Sequence, residues 1–124
     1  MAQQHRSYKQ AQKESLYFQE VATLFRELVR DHAELQDIYP NRVTLSPDVG
    51  MCTIHFYSPK GEEYFKSKLK ELILFKPSLR NAIARKISQR RVPDFRFVWD
   101  TTAEKQQKID ALFEKIKIPS EESD

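Results

Sequence analysis

Apolar residues recur along the chain in two rhythms, and the places where one gives way to the other divide it into elements. From about Gln10 to Arg30, Tyr17, Val21, Leu24, Phe25 and Leu28 return at helical spacing. They project onto an arc of roughly 140°, the pattern of a helix with one face on a core. "DHAELQDIYPN" loses that period and closes on Pro40-Asn41, so it reads as a loop or a short extra turn. "RVTLS" is a short β-branched run, and Pro47 and Asp48 after it suit the middle of a tight turn. "MCTIHFY" then alternates Cys52, Ile54 and Phe56 against Thr53, His55 and Tyr57, the two faces of a strand. Two strands joined by so short a link pair antiparallel.

"SPKGEEYF" supplies another turn and places Glu62 and Glu63 at a helix start, where carboxylates favour the positive end of the dipole. Phe65, Leu69, Leu72 and Ile73 form the expected buried stripe of this second helix. Pro77 interrupts it, because proline has no N–H to donate and its ring clashes with the carbonyl four residues back. A further helix follows with Leu79, Ile83 and Ile87 at four-residue steps, and it ends before Val92-Pro93. Asp94 to Trp99 alternates as a third strand, with Phe95, Phe97 and Trp99 expected in the core because helices are at hand to cover them. Thr101 and Glu104 have the spacing of a capping box, and Ile109, Leu112, Phe113 and Ile116 mark a last amphipathic helix. The pattern predicts a single α+β domain of order α-β-β-α-kink-α-β with a C-terminal helix.

With 124 residues, 40% hydrophobic and 31% charged, the chain suits one compact domain. The expected divisions are a flexible start over residues 1–9, the domain over 10–117, and an acidic flexible tail over 118–124 that carries Glu121, Glu122 and Asp124. No apolar run approaches the roughly 20 residues that span a bilayer, and "MAQQHRSYKQ" lacks a signal peptide's hydrophobic region. A soluble, cytoplasmic protein with no membrane partner is the expectation. The lone Cys52 allows neither an internal disulfide nor a thiolate-rich metal site.

Net charge is only +3, with a pI near 9.0, but the excess is concentrated. Between Leu79 and Arg96, six cations (Arg80, Arg85, Lys86, Arg90, Arg91 and Arg96) face one anion, Asp94, a local charge of +5. Surfaces usually mix signs, so this stretch is expected to be a phosphate-contacting patch for a polyanion such as RNA, with Lys76 at the helix break as a further contact and Arg90 and Arg91 as the leading pair. No catalytic constellation accompanies it. Cys52 and His55 lie three apart on a strand and so point to opposite faces, and His5, His32 and His55 lack metal-ligand spacing. Asp94 and Asp100, separated by roughly 20 Å of extended chain, read as strand-boundary residues, Asp100 beside the start of the last helix. A binding protein without catalysis, metal, cofactor or small-molecule substrate is expected.

The residues of this stretch also form a recognisable series. Leu79 and Arg80 open its helix, Gln89, Arg90 and Arg91 give it a basic end, and Val92, Pro93 and Asp94 lead into a strand carrying Phe95 and Phe97 and closed by Asp100. It resembles the signature region of the ribosome-binding factor A family. "VTLSPDVGMCTIHFY", with Ser46 and Asp48, is similar to that family's first hairpin, and the element order resembles the type II KH-like fold over roughly Val21 to Ile116. The resemblance implies a bacterial or organellar assembly factor, a monomer when free. It would bind the small ribosomal subunit and its rRNA and assist late maturation, including rRNA processing, of the free subunit. Two features depart from the pattern. Gly50 and Gly61 are the only glycines, so no Gly-x-x-Gly loop joins the helices, and Phe75-Lys76-Pro77 stands where the family usually has an Ala-x-Gly kink. The alternative is a KH-like nucleic-acid-binding module not specific to ribosomes.

Overall fold

Residues Tyr8–Asp31 form α1 in the computed structural model, which describes residues 8–87 and 91–122 of the chain. The expectations for residues 1–7, 88–90 and 123–124 lie outside the described residues. After α1 come a short 3₁₀ turn (Ala33–Leu35), β1 (Tyr39–Leu45), β2 (Met51–Tyr57), α2 (Glu62–Ile73), α3 (Lys76–Lys86), β3 (Asp94–Trp99) and α4 (Thr101–Glu122). The strands form one sheet of order β1-β2-β3. β1 and β2 pair antiparallel, while β2 and β3 run parallel and are joined through the α2–α3 helix pair. This is the α+β order expected from the periodicity and the KH-like arrangement that the resemblance implied, and the helix pair is needed because a parallel neighbour requires a crossover long enough to return the chain. Among the described residues no helix is long and apolar enough to cross a membrane.

One face of the sheet is the core. Val43 and Leu45 from β1, Cys52, Ile54 and Phe56 from β2, and Phe95, Phe97 and Trp99 from β3 are buried there against Tyr17, Val21 and Phe25 of α1, Phe65 and Leu72 of α2, and Leu79 and Ile83 of α3. Alternation along β2 and β3 therefore places the three β3 aromatics in the core as expected. α1 also covers the outer strand. The Leu45 N–H donates to the Glu14 carboxylate at 2.8 Å, and the Gln10 amide donates to the Leu45 carbonyl at 2.7 Å. Side chains of α1 thus occupy backbone groups at that end of β1, where an exposed edge would invite another strand.

Four features differ from the pattern. β1 begins at Tyr39, three residues before "RVTLS", because Tyr39 and Pro40 pair with Tyr57 and Phe56 across a register shift at Asn41. A proline is tolerated there because β1 is an outer strand. The aperiodic segment before it is no mere connection, since Leu35 and Ile38 are fully buried in the core. Ile73, expected in the α2 stripe, is 43% exposed, because α2 ends at this residue and the chain turns away. The helical backbone of α4 continues to Glu122, past the expected boundary at 117, and its residues Ile109, Leu112 and Phe113 stay exposed.

The break between α2 and α3 is built from hydrogen bonds as well as proline. Leu74 N–H reaches the Glu71 carbonyl and Phe75 N–H that of Leu72, three-residue steps that tighten the end of α2, after which Leu79 N–H bonds Phe75 and starts α3. Pro77 lies in the first turn of α3, where an N–H has no helical partner to lose. Pro77→Ala is therefore expected to cost no more than about 1 kcal/mol, through greater freedom of the unfolded chain. Urea unfolding checks this, and a loss above about 2 kcal/mol would make the ring a packing element of the fold.

Candidate nucleic-acid interface

Among the described residues, the cations singled out from the sequence lie on α3, on β3 and in the segment before β3. Lys76, the first residue of α3, holds its ammonium 5.5 Å from the centre of the Phe97 ring, a cation–π contact at the margin of the core. One turn on, Arg80 donates from one guanidinium nitrogen to the Pro93 carbonyl and to the Asp94 carboxylate, both at 3.0 Å. Its charge is largely matched by Asp94, and it ties α3 to the entry of β3. Arg85 and Lys86 are exposed in the last turn of α3, where cations favour the negative end of the dipole. Arg90, half of the leading pair, lies outside the described residues together with Ser88 and Gln89.

Arg91 is exposed and near the β1–β2 turn. Asp48 of that turn accepts from the Ser46 hydroxyl at 2.8 Å and from Gly50 N–H at 3.0 Å. These two bonds, with a smaller contribution from the Arg91 charge, hold its carboxyl below the ordinary range. Asp94 N–H bonds the Gly50 carbonyl at 3.0 Å, which fastens the turn to the start of β3. Arg96 projects on the sheet face away from the helices and donates to the Thr53 hydroxyl at 3.3 Å. The structure thus brings Arg80 to Asp94 and Arg91 near Asp48, and sets Lys76 and Arg96 on different sides of β3. Among the described residues these cations are spread over α3, β3 and the segment between them rather than along one stripe of a helix.

Sequence reasoning missed Arg42 and Asn41. Asp100 is fully buried, and its carboxylate accepts from the Asn41 amide at 3.0 Å, from Arg42 Nε and Nη2 at 3.2 and 3.4 Å, and from Ala103 N–H at 3.1 Å. The helix cap is therefore Asp100, not the expected Thr101, and Glu104 turns to accept from the Trp99 indole N–H at 3.1 Å instead of closing a box. A closing Asp directly before a helix start was the available signal for the cap. Nothing local pointed to Arg42, which lies 58 residues away in sequence.

Cys52 and His55 project to opposite faces, as strand parity requires. The Cys52 thiol is buried in the core, and burial, with a smaller contribution from Glu14, pushes its pKa up to about 12. His55 bonds the Thr44 hydroxyl at 3.0 Å, and burial followed by the Arg42 charge holds its pKa below the ordinary value. Among the described residues no three His, Cys, Asp or Glu side chains converge as a metal site would need.

The family model of ribosome-binding factor A matches residues 9–113. Curated relatives include the ribosome-binding factor A of Coxiella burnetii (strain RSA 493 / Nine Mile phase I), 32% identical over 119 residues that cover 94% of this chain and 98% of the relative. That of Prochlorococcus marinus subsp. pastoris is 30% identical over 112 residues, covering 90% of this chain and 85% of the relative. Among solved structures, the crystal structure of ribosome-binding factor A from Thermus thermophilus matches with a TM-score of 0.64 at 24% identity, over 74% of this chain and 97% of that one. The solution structure of a Thermotoga maritima protein described as a putative ribosome binding factor A matches with a TM-score of 0.65 at 22% identity, over 77% and 91%. These structural likenesses speak for the fold, while the family match and the relatives speak for descent: the chain belongs to the ribosome-binding factor A family.

Proposed function

We propose that this protein binds the free small ribosomal subunit through its rRNA and assists late maturation, including rRNA processing, acting as a cytoplasmic monomer that binds without catalysing. Family membership supports the ribosome as the target. The observation that carries the RNA-facing part of the reading is the run of exposed cations from the end of α3 into β3. Arg85, Lys86, Arg91 and Arg96 are exposed there, while the neighbouring carboxylate Asp94 is occupied by Arg80. Cations held near a rigid strand can replace the counterions of a folded RNA, and the shape of the domain selects the site.

Cosedimentation with free small subunits and with whole ribosomes, repeated across a salt series, tests the reading. Binding is expected to favour free subunits and to fall with salt at a log–log slope of about −3 to −4, as neutralising four or five phosphates requires. Equal enrichment on both particles would overturn the assembly role, and a flat salt response would overturn the phosphate contacts.

A further inference from the structure

The sheet face turned away from the helices carries a second set of recognition groups. β1 contributes Tyr39, Arg42 and Thr44, β2 contributes Thr53, His55 and Tyr57, and β3 contributes Arg96 and Val98. The register sets Tyr39 opposite Tyr57, Arg42 opposite His55 and Thr44 opposite Thr53, with Arg96 and Val98 beside Thr53 and His55 on the other side. Tyr39 and Arg42 are three residues apart, and on a regular strand they would point to opposite faces. The register shift at Asn41 absorbs one residue, so both reach the open face while Pro40 and Val43 turn to the core. The irregularity is held in place, because the Asn41 amide and the Arg42 guanidinium both bond Asp100. Bulges recur where a side chain must be re-aimed, and here the side chain gained is an aromatic ring beside a cation.

The groups on this face are preorganised. Tyr39 is 43% exposed and meets Tyr57 edge-on at 6.0 Å, and Tyr57, the last residue of β2, reaches round the end of the sheet to stack on the core residue Trp99 at 5.2 Å, which fixes the ring that Tyr39 rests on. Arg42 is half-exposed and held by Asp100 and Thr102, and Arg96 is exposed and anchored to Thr53. Between them sits His55, bonded to Thr44. Burial, then the Arg42 charge and, least, the Arg96 charge lower its pKa, while Asp100 opposes them. The carboxylates that flank the face are already taken, Asp100 by Arg42 and Asn41, and Asp94 by Arg80, so Arg42 brings a charge-matched but half-exposed guanidinium and Arg96 the exposed charge of the face.

We propose that this open face binds single-stranded RNA, with a base stacked on Tyr39 at one end and the backbone phosphates lying across Arg42 and Arg96 past His55. Charge complementarity selects this occupant. A protein partner would be met by an apolar centre, whereas the centre here is the half-buried Thr44, His55 and Val98 over the buried Thr53, with Arg42 on one side and Arg96 on the other. Stacking on an exposed ring requires a base that is not already paired in a helix, which specifies a single strand. The inference rests on the RNA-binding reading above and adds a surface distinct from the helix-end cations Arg85 and Lys86.

The test uses the full chain and an oligouridine of about ten nucleotides, within the site sizes of single-strand binders. Amide and histidine resonances are followed by NMR, and oligouridine and small-subunit binding are measured for Tyr39→Ala, Tyr39→Phe and Arg96→Gln. The expected result is that the amides of residues 53–57 and 96–98 shift. The His55 titration should move upward on saturation, because an arriving phosphate offsets the fields of Arg42 and Arg96. Tyr39→Ala should weaken oligouridine binding about tenfold while Tyr39→Phe retains it, and Arg96→Gln should flatten the salt slope by about one. If oligouridine leaves these residues unmoved, or Tyr39→Ala binds it as well as the parent, the proposal falls. If Tyr39→Ala loses subunit binding while oligouridine leaves the face unmoved, the occupant is a protein of the subunit and the RNA assignment is overturned. If the parent protein fails to bind subunits yet oligouridine titrates the face as described, the ribosomal reading fails and this site stands.

Discussion

Phe56→Ala is expected to destabilise the protein by about 3 to 5 kcal/mol, enough to unfold a domain of ordinary stability. Phe56 is fully buried on the central strand, and its ring meets Phe25 at 5.3 Å, Phe65 at 5.8 Å and Phe97 at 5.2 Å. It therefore joins the helix layer to the sheet at one point. Truncation removes the transfer energy of the ring and leaves a void that α1, α2 and β3 cannot all close on at once. Phe97→Ala should cost less. Its ring lies at the margin, 8% exposed beside Lys76 and next to a small apolar cavity bordered by Leu24, Leu28 and Phe75, so the gap can be shared with solvent. Urea unfolding of both variants decides the matter. If Phe97→Ala proves the more damaging, the core is organised around the outer strand and not around β2.

Asp100→Ala is expected to cost about 2 to 3 kcal/mol, combining a lost helix cap of about 1 kcal/mol with lost charge-assisted bonds from Arg42 and Asn41. The value stays below that of a broken, fully buried ion pair because Arg42 is half-exposed and can recover water. The same group predicts a pH dependence. Burial alone would raise the pKa of Asp100, but the Asn41 bond, the Ala103 N–H bond and Arg42 together outweigh it, and the carboxyl is held below its usual value. A depressed folded-state pKa contributes stability that is present above the unfolded value, about 3.9, and is lost as pH falls through the folded one. Unfolding free energies measured from pH 7 downward should therefore decline more shallowly below about pH 4 in Asp100→Asn than in the parent. Identical acid limbs would show that the carboxylate charge adds nothing to the hydrogen bonds of the cluster.

Much of this architecture was legible from spacing. The Tyr17, Val21 and Phe25 stripe, the alternation of β2 and β3, and the four-residue steps of Leu79, Ile83 and Ile87 all point to the burial found in the structure. Each is a property of a few consecutive residues whose backbone geometry fixes which side chains share a face. The Val-Pro-acidic entry to β3 and the aromatic strand behind it also carried the family likeness. The positions of the basic residues were equally plain, and so was their excess over Asp94.

Their partners were not. Charge along the chain cannot tell that Arg80 is occupied by Asp94 or that Arg42 closes on Asp100, because a carboxylate chooses among cations by three-dimensional proximity and burial. Leu35 and Ile38 look like parts of a loop until the α1–β1 layer supplies something for them to pack against. The open-face grouping of Tyr39, Arg42, His55 and Arg96 depends on one absorbed residue at Asn41, and strand parity read from sequence would have set Tyr39 and Arg42 on opposite faces. The elements and their order, the two faces of β2, the core face of β3 and the cationic character of the β3 region were all readable in the sequence, because those follow from local periodicity and composition. Only the tertiary structure decided which charges are matched, where β1 begins and which side chains share the open face, because those depend on strand register and on contacts between residues far apart in the chain.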